Sequence, residues 1–111
     1  MTQDAASLFA PRLRAELEEL RAASAGTAAD RVPVALDQQS IGRLSRQDAL
    51  QMQAMAAAQE ARRLARIRAI EAALRRIAAG EYGFCESCAA PIPERRLAID
   101  PVLTRCVGCA R

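Results

Sequence analysis

The chain has no histidine, no tryptophan and no lysine, and only three aromatic side chains, Phe9, Tyr82 and Phe84. Lack of histidine removes the commonest general base, and no glycine-rich phosphate loop appears. Ser45 has no base partner, so no enzymatic activity is expected. Three aromatics among 111 residues leave little from which to build a large globular core. No run of about 18 apolar residues occurs, so no membrane span is expected. Met1 to Ala10 carries Asp4 and lacks the basic start and apolar stretch of a secretory signal. A reducing, cytoplasmic setting follows as the expectation, in which paired cysteines are more often metal ligands than disulfides.

What is present is mostly alanine, leucine and isoleucine, a composition that favours helix over sheet. The length allows one compact domain, or a small module with an extension. All sixteen basic residues are arginine, and the formal charge is +3. Four zinc-bound thiolates would bring it to about +1, too little to argue a DNA-binding surface from charge.

The order of elements reads as mainly α. Leu8, Leu13, Leu17 and Leu20 form one stripe of a helix over about Ser7–Ala23, with Ser7 as its cap and Pro11 in or next to the first turn. Residues 25–45 hold Gly26, Pro33 and Gly42 and read as a connecting tip loop, long enough to be a working part. A long helix over Ser45–Ala79 follows, with Ser45 and Asp48 at capping-box spacing and Gly80 as a left-handed terminator. Its expected seam is Leu50, Ala54, Ala57, Ala61, Leu64 and Ile67, continuing through Leu74 and Ile77. Arginines such as Arg62, Arg63, Arg66 and Arg68 cover the other faces. At roughly 50 Å it is too long and too thinly apolar to stand alone. The first helix should fold back on it as an antiparallel coiled coil. Residues 1–80 thus form a helical hairpin, and 81–111 a separate small module.

That module carries Cys85, Cys88, Cys106 and Cys109 as C-x2-C-x17-C-x2-C. Each C-x2-C turn aims two sulfurs at one point, and two such turns close a tetrahedron around zinc with no open position. The expected ion is one structural zinc. A double disulfide would need an oxidising compartment, and a thioredoxin-like redox pair would lack its surrounding fold. Ile92, Leu97, Ile99 and Val102 are expected to pack under a short hairpin, with Arg95, Arg96 and Arg105 offsetting the site's negative charge. A Cys88→Ser change is expected to unfold this tail and leave the helices partly formed.

Gly80-Glu81-Tyr82-Gly83-Phe84-Cys85-Glu86-Ser87-Cys88, with Ile92, Arg95-Arg96-Leu97, Pro101 and Cys106-Val107-Gly108-Cys109, resembles the DksA/TraR C4-type zinc-finger signature. Ala89 and Ala90 stand where that family usually has a glycine. The resemblance implies a bacterial regulator of transcription that binds RNA polymerase and inserts its coiled-coil tip through the secondary channel, often with the alarmone ppGpp. It implies no sequence-specific DNA binding; a monomer is the separate expectation, although an Ala-rich, partly unpaired long helix could dimerise at high concentration. The family's acidic tip motif D-x-x-D-x-A falls on Gly42, Ser45 and Gln47, so it is absent here. Asp37, Asp48 and Ala49 are the nearby tip candidates, and Asp48 reads equally as the capping-box carboxylate. Of three basic alarmone positions one falls on Arg62 and the others on Ala69 and Ala110, with Arg66 or Arg68 nearby as a substitute. Against this stands a zinc-stapled adaptor, or a direct nucleic-acid binder using the arginine face of the long helix.

Overall fold

The computed structural model describes residues 2–32 and 43–110, with side chains from Ala5 and from Arg46 onward in the two long helices. Helix α1 (Thr2–Gly26) leads through a short 3-10 turn (Ala28–Arg31) toward α2 (Arg43–Ala78), and a short α3 (Glu94–Ile99) lies in the tail. Among the described residues there is no strand, only an isolated antiparallel bridge between Phe84 and Pro91. The molecule measures 64 × 28 × 20 Å with a radius of gyration of 19.6 Å. A compact chain of this length would have about 13 Å, so this is a rod.

The first helix starts earlier than its expected cap. Ser7 lies inside α1, as does Pro11, which cannot donate a backbone hydrogen bond there. The helix continues because residues on both sides of the proline are anchored. Ala5, Phe9, Ala10 and Leu13 are buried while Pro11 faces solvent. The buried stripe is therefore Ala5, Phe9, Leu13 and Leu17, with Leu20 packed against it. Leu8, expected in the seam, is 55% exposed. Phe9 takes its place because a spacing of four carries the stripe from Leu13 and Leu17 back to Phe9 and Ala5.

In α2 the inward residues are Ala49, Gln53, Ala56, Glu60, Arg63, Ile67, Ile70, Leu74 and Ile77, at regular spacings of four and three. The apolar residues chosen from sequence between Leu50 and Leu64 lie on the neighbouring face and are exposed. A hydrophobic pattern selects that face, but the seam turns polar above Ile67, and a buried carboxylate that has partners can replace a leucine. Ser45 falls within α2, so it does not cap it, and Asp48 is an exposed helical residue rather than the third position of a capping box. At the other end the terminator is as expected. Gly80 has φ +74°, its N–H bonds the Ile77 carbonyl at 3.1 Å, and the Glu81 N–H bonds the Arg76 carbonyl at 2.8 Å. These two bonds are the Schellman pattern.

One continuous core joins the hairpin's base to the tail. Phe9, Leu13 and Leu17 of α1 meet Ile67, Ile70 and Ala73 of α2, and Tyr82, Ile92 and Leu97 complete the cluster. Leu97 is buried, whereas Ile99, expected beside it, is 82% exposed because it ends the six-residue α3 on its outer side. The Tyr82 hydroxyl donates to the Pro101 carbonyl at 2.7 Å. Burial pushes its pKa up from 10 to about 12. The buried phenol favours the neutral form, so folding stability should fall as pH rises from about 10 toward 12. Tyr82→Phe should remove that slope, at a cost near neutral pH of about 1–2 kcal/mol for the orphaned carbonyl. Denaturant melts of both proteins across this range test it.

Candidate metal centre

Two backbone knuckles bring the four sulfurs together. In the first, the Cys85 N–H donates to the Ala90 carbonyl at 2.8 Å and the Ala89 N–H returns to the Cys85 carbonyl at 2.9 Å. In the second, the N–H groups of Cys109 and Ala110 both donate to the Cys106 carbonyl, at 3.1 and 2.9 Å. The Glu86 N–H donates to the Thr104 carbonyl at 2.8 Å and ties one knuckle to the other. The sulfurs of Cys85, Cys88, Cys106 and Cys109 all lie within 4.8 Å of one another, and those of Cys88 and Cys106 are 3.6 Å apart. A tetrahedron with zinc–sulfur bonds of about 2.3 Å requires sulfur separations of about 3.8 Å, so the cage fits zinc.

Its electrostatics fit as well. Backbone N–H bonds, that of Cys106 foremost, pull Cys85 down to about 6. The hydrogen-bonded sulfurs of Cys106 and Cys88 push Cys109 up to about 12. Four thiolates this close ionise together only against a cation, and a divalent ion supplies the charge. The protein carries one structural zinc, held in a closed site of soft donors with no position for substrate.

Ala89 closes the first knuckle in the left-handed region, with φ +61°. A Cβ there costs roughly 1–2 kcal/mol, part of which glycine's greater unfolded-state freedom offsets. Ala89→Gly should therefore stabilise the zinc-bound protein by about 0.5–1 kcal/mol, read as a shift of the denaturant midpoint.

A set of polar struts fixes the knuckles to the hairpin. The Arg66 guanidinium donates to Glu16 at 2.6 and 3.2 Å and to Asp100 at 2.9 Å, bridging α1, α2 and the tail. These carboxylates raise its already high pKa. Arg12 donates to the Ala98 carbonyl at 2.6 Å, and Arg76 to the Phe84 carbonyl. Arg105 pairs with Glu86 at 3.1 Å and Arg96 bonds the Arg105 carbonyl at 3.1 Å, while Arg95 is exposed.

The other sequence candidates lie away from this centre. Asp48 is exposed and Ala49 half-buried near the start of α2, whereas Asp37 lies outside the described residues. Arg62 is exposed and makes no ion pair among the described residues, but Arg66 is committed to Glu16 and Asp100. Sequence reasoning did not single out Ile70, Glu60 or the Arg66 bridge. Ile70 was visible as the partner of Ile67 and Leu74 at spacings of three and four. The ion pairs depend on the helix–helix register, which no local pattern announces.

Residues 80–111 match the model of the prokaryotic DksA/TraR C4-type zinc finger. An uncharacterized protein of Aquifex aeolicus (strain VF5) is 45% identical over 47 residues, covering 42% of this chain. The matched part is about a third (32%) of that relative's length. The structure of transcription factor DksA2 from Pseudomonas aeruginosa superposes with a TM-score of 0.68 at 20% identity, over 96% of this chain and 78% of that one. The likeness at that identity is one of fold. No helix among the described residues is long and apolar enough to cross a membrane. Residues 80–111 are thus a C4-type zinc finger of the DksA/TraR family, set at the base of a helical hairpin with the fold of DksA2.

Proposed function

We propose that this protein is a DksA/TraR-like regulator of transcription that binds RNA polymerase and reaches into its secondary channel with the tip of the hairpin. The observation that carries the reading is the 64 Å rod, clamped at one end by a metal module, with the outer half of α2 running on past the end of α1 toward the other. Such a body can present residues deep in a passage that a globular protein cannot enter. Likeness in fold to a transcription factor supports it. Asp37, Asp48 and Ala49 are the tip residues of this reading, and Arg62 and Arg68 the remaining exposed alarmone candidates.

The rival reading, a nucleic-acid binder using the arginine face, is weakened by how many arginines are already paired. On α2, Arg63, Arg66 and Arg76 each have a carboxylate partner within 4 Å. Binding to phosphates would have to compete with these bonds.

Pull-down with core RNA polymerase, coupled to transcription in vitro with and without ppGpp, tests the proposal. The protein should co-elute with the core enzyme and change transcript yield, with no shift of duplex DNA at micromolar protein. Replacing Asp37 and Asp48 together should weaken the transcriptional effect while leaving polymerase binding intact. Failure of the zinc-loaded protein to bind core polymerase would overturn the reading.

A further inference from the structure

The seam of α2 changes character at Glu60, the one buried charged residue among the described residues. Below it run Ile67, Ile70, Leu74 and Ile77. From it toward the tip run Glu60, Ala56, Gln53 and Ala49. The change coincides with the end of α1. Beyond Gly26 only the 3-10 turn borders α2 among the described residues, with Ala29 and Asp30 facing Gln53 and Ala56 across a groove.

At that point the last turn of α1, the 3-10 turn and α2 are joined by directional bonds. The Ser24 hydroxyl donates to one Glu60 oxygen. Arg63 donates to the other at 2.6 Å, and Arg31 lies 3.4 Å from it. Arg31 also donates to the Ser24 carbonyl at 3.0 Å and to the Thr27 hydroxyl at 2.8 Å, and that hydroxyl donates to the Ala23 carbonyl at 2.8 Å. Both carbonyls belong to the last turn of α1: that of Ala23 also accepts the Thr27 N–H at 3.1 Å, and that of Ser24 is met by the Arg31 guanidinium. One cluster therefore ends α1, seats the 3-10 turn and holds the carboxylate of α2.

We infer that Glu60 is a positioning residue: its clamp with Ser24, Arg31 and Arg63 sets the direction in which the outer half of α2 leaves the hairpin. This rests on the proposed function, because a direction matters only if the far end must meet a target. An apolar residue at the same heptad position would bury as well and tolerate sliding. A charged residue with fixed partners costs stability but specifies register. From Glu60 to Arg43 the helix runs about 26 Å, so a tilt of about 10° at the clamp moves its end by about 4–5 Å. That displacement exceeds what a preorganised site tolerates.

The test uses the full, zinc-loaded chain with spin-labelled non-canonical residues at exposed Arg14 and Met52, leaving the cysteines untouched. Double electron–electron resonance should give one narrow distance in the parent protein, and Glu60→Leu should widen the distribution about twofold or more. Amide exchange over residues 67–77 should be unchanged. Core-polymerase affinity should hold within about threefold while the transcriptional effect falls about tenfold. Glu60→Gln, which can still accept from Ser24 but lacks the charge, should lie between. If Glu60→Leu does not fold, the double variant Ser24→Ala with Arg31→Ala unties α1 and the 3-10 turn and should widen the distribution in the same way. An unchanged distance distribution, or exchange at 67–77 rising in step with the outer half, would overturn the inference. The distance measurement needs no polymerase, so it decides the clamp even where polymerase binding fails.

Discussion

Cys88→Ser is expected to unfold residues 81–110 and to strip protection from the lower half of α1 as well. Binding of a structural zinc contributes on the order of 10 kcal/mol or more, comparable with the whole stability of a domain, about 5–15 kcal/mol. The tail has little else to replace it, since its only helix has six residues and its only bridge is isolated. The consequence reaches further than the sequence suggested. Tyr82 and Leu97 bury the same core that Phe9, Leu13 and Ile70 line, and Asp100 takes part in the Arg66 bridge. When the tail opens, Phe9 and Leu13 lose one wall, and Pro11 leaves that stretch of helix weak on its own. Hydrogen exchange should show fast amides over 81–110 and over about 5–13, with slower exchange retained around Leu17, Leu20 and their α2 partners. Unchanged protection in the tail would refute the role given to the metal.

Leu13→Ala should be among the costliest single truncations in the hairpin. Leu13 is 0% exposed, touching both α2 and the tail side of the core. Loss of its side chain should cost about 3 kcal/mol and lower Tm by roughly 10–20 °C. Leu8→Ala, five residues earlier on the exposed face, should cost no more than about 0.5 kcal/mol. Thermal melts of the two variants distinguish the observed stripe from the one that leucine spacing suggests. A larger loss at Leu8 would mean that α1 packs in a different rotation.

The ease of reading differed along the chain for physical reasons. The cysteine knuckles were legible because their geometry is local: a C-x2-C turn aims both sulfurs whatever surrounds it. Gly80 was legible for the same reason, since a left-handed stop needs only its own backbone. The hairpin seam was not. Periodicity picks the most apolar face, and in the outer half of α2 that face carries Leu50, Ala54, Ala57 and Ala61, all exposed. The face turned inward carries Glu60 and Arg63, whose burial is tolerable only because Ser24, Thr27 and Arg31 come from 29 to 36 residues away. A pattern within one helix cannot contain that information. The N-terminal boundary of α1 was misplaced because Ser7 and Pro11 are local start signals, overridden by the burial of Ala5 and Phe9 in the shared core.

One ion holds the finger together against the base of the rod. Elemental analysis of the purified protein, prepared without added metal or chelator, measures that most directly. One zinc per chain, lost together with the fold of residues 81–110 on strong chelation, is the predicted result. A folded protein with no stoichiometric divalent metal would contradict it.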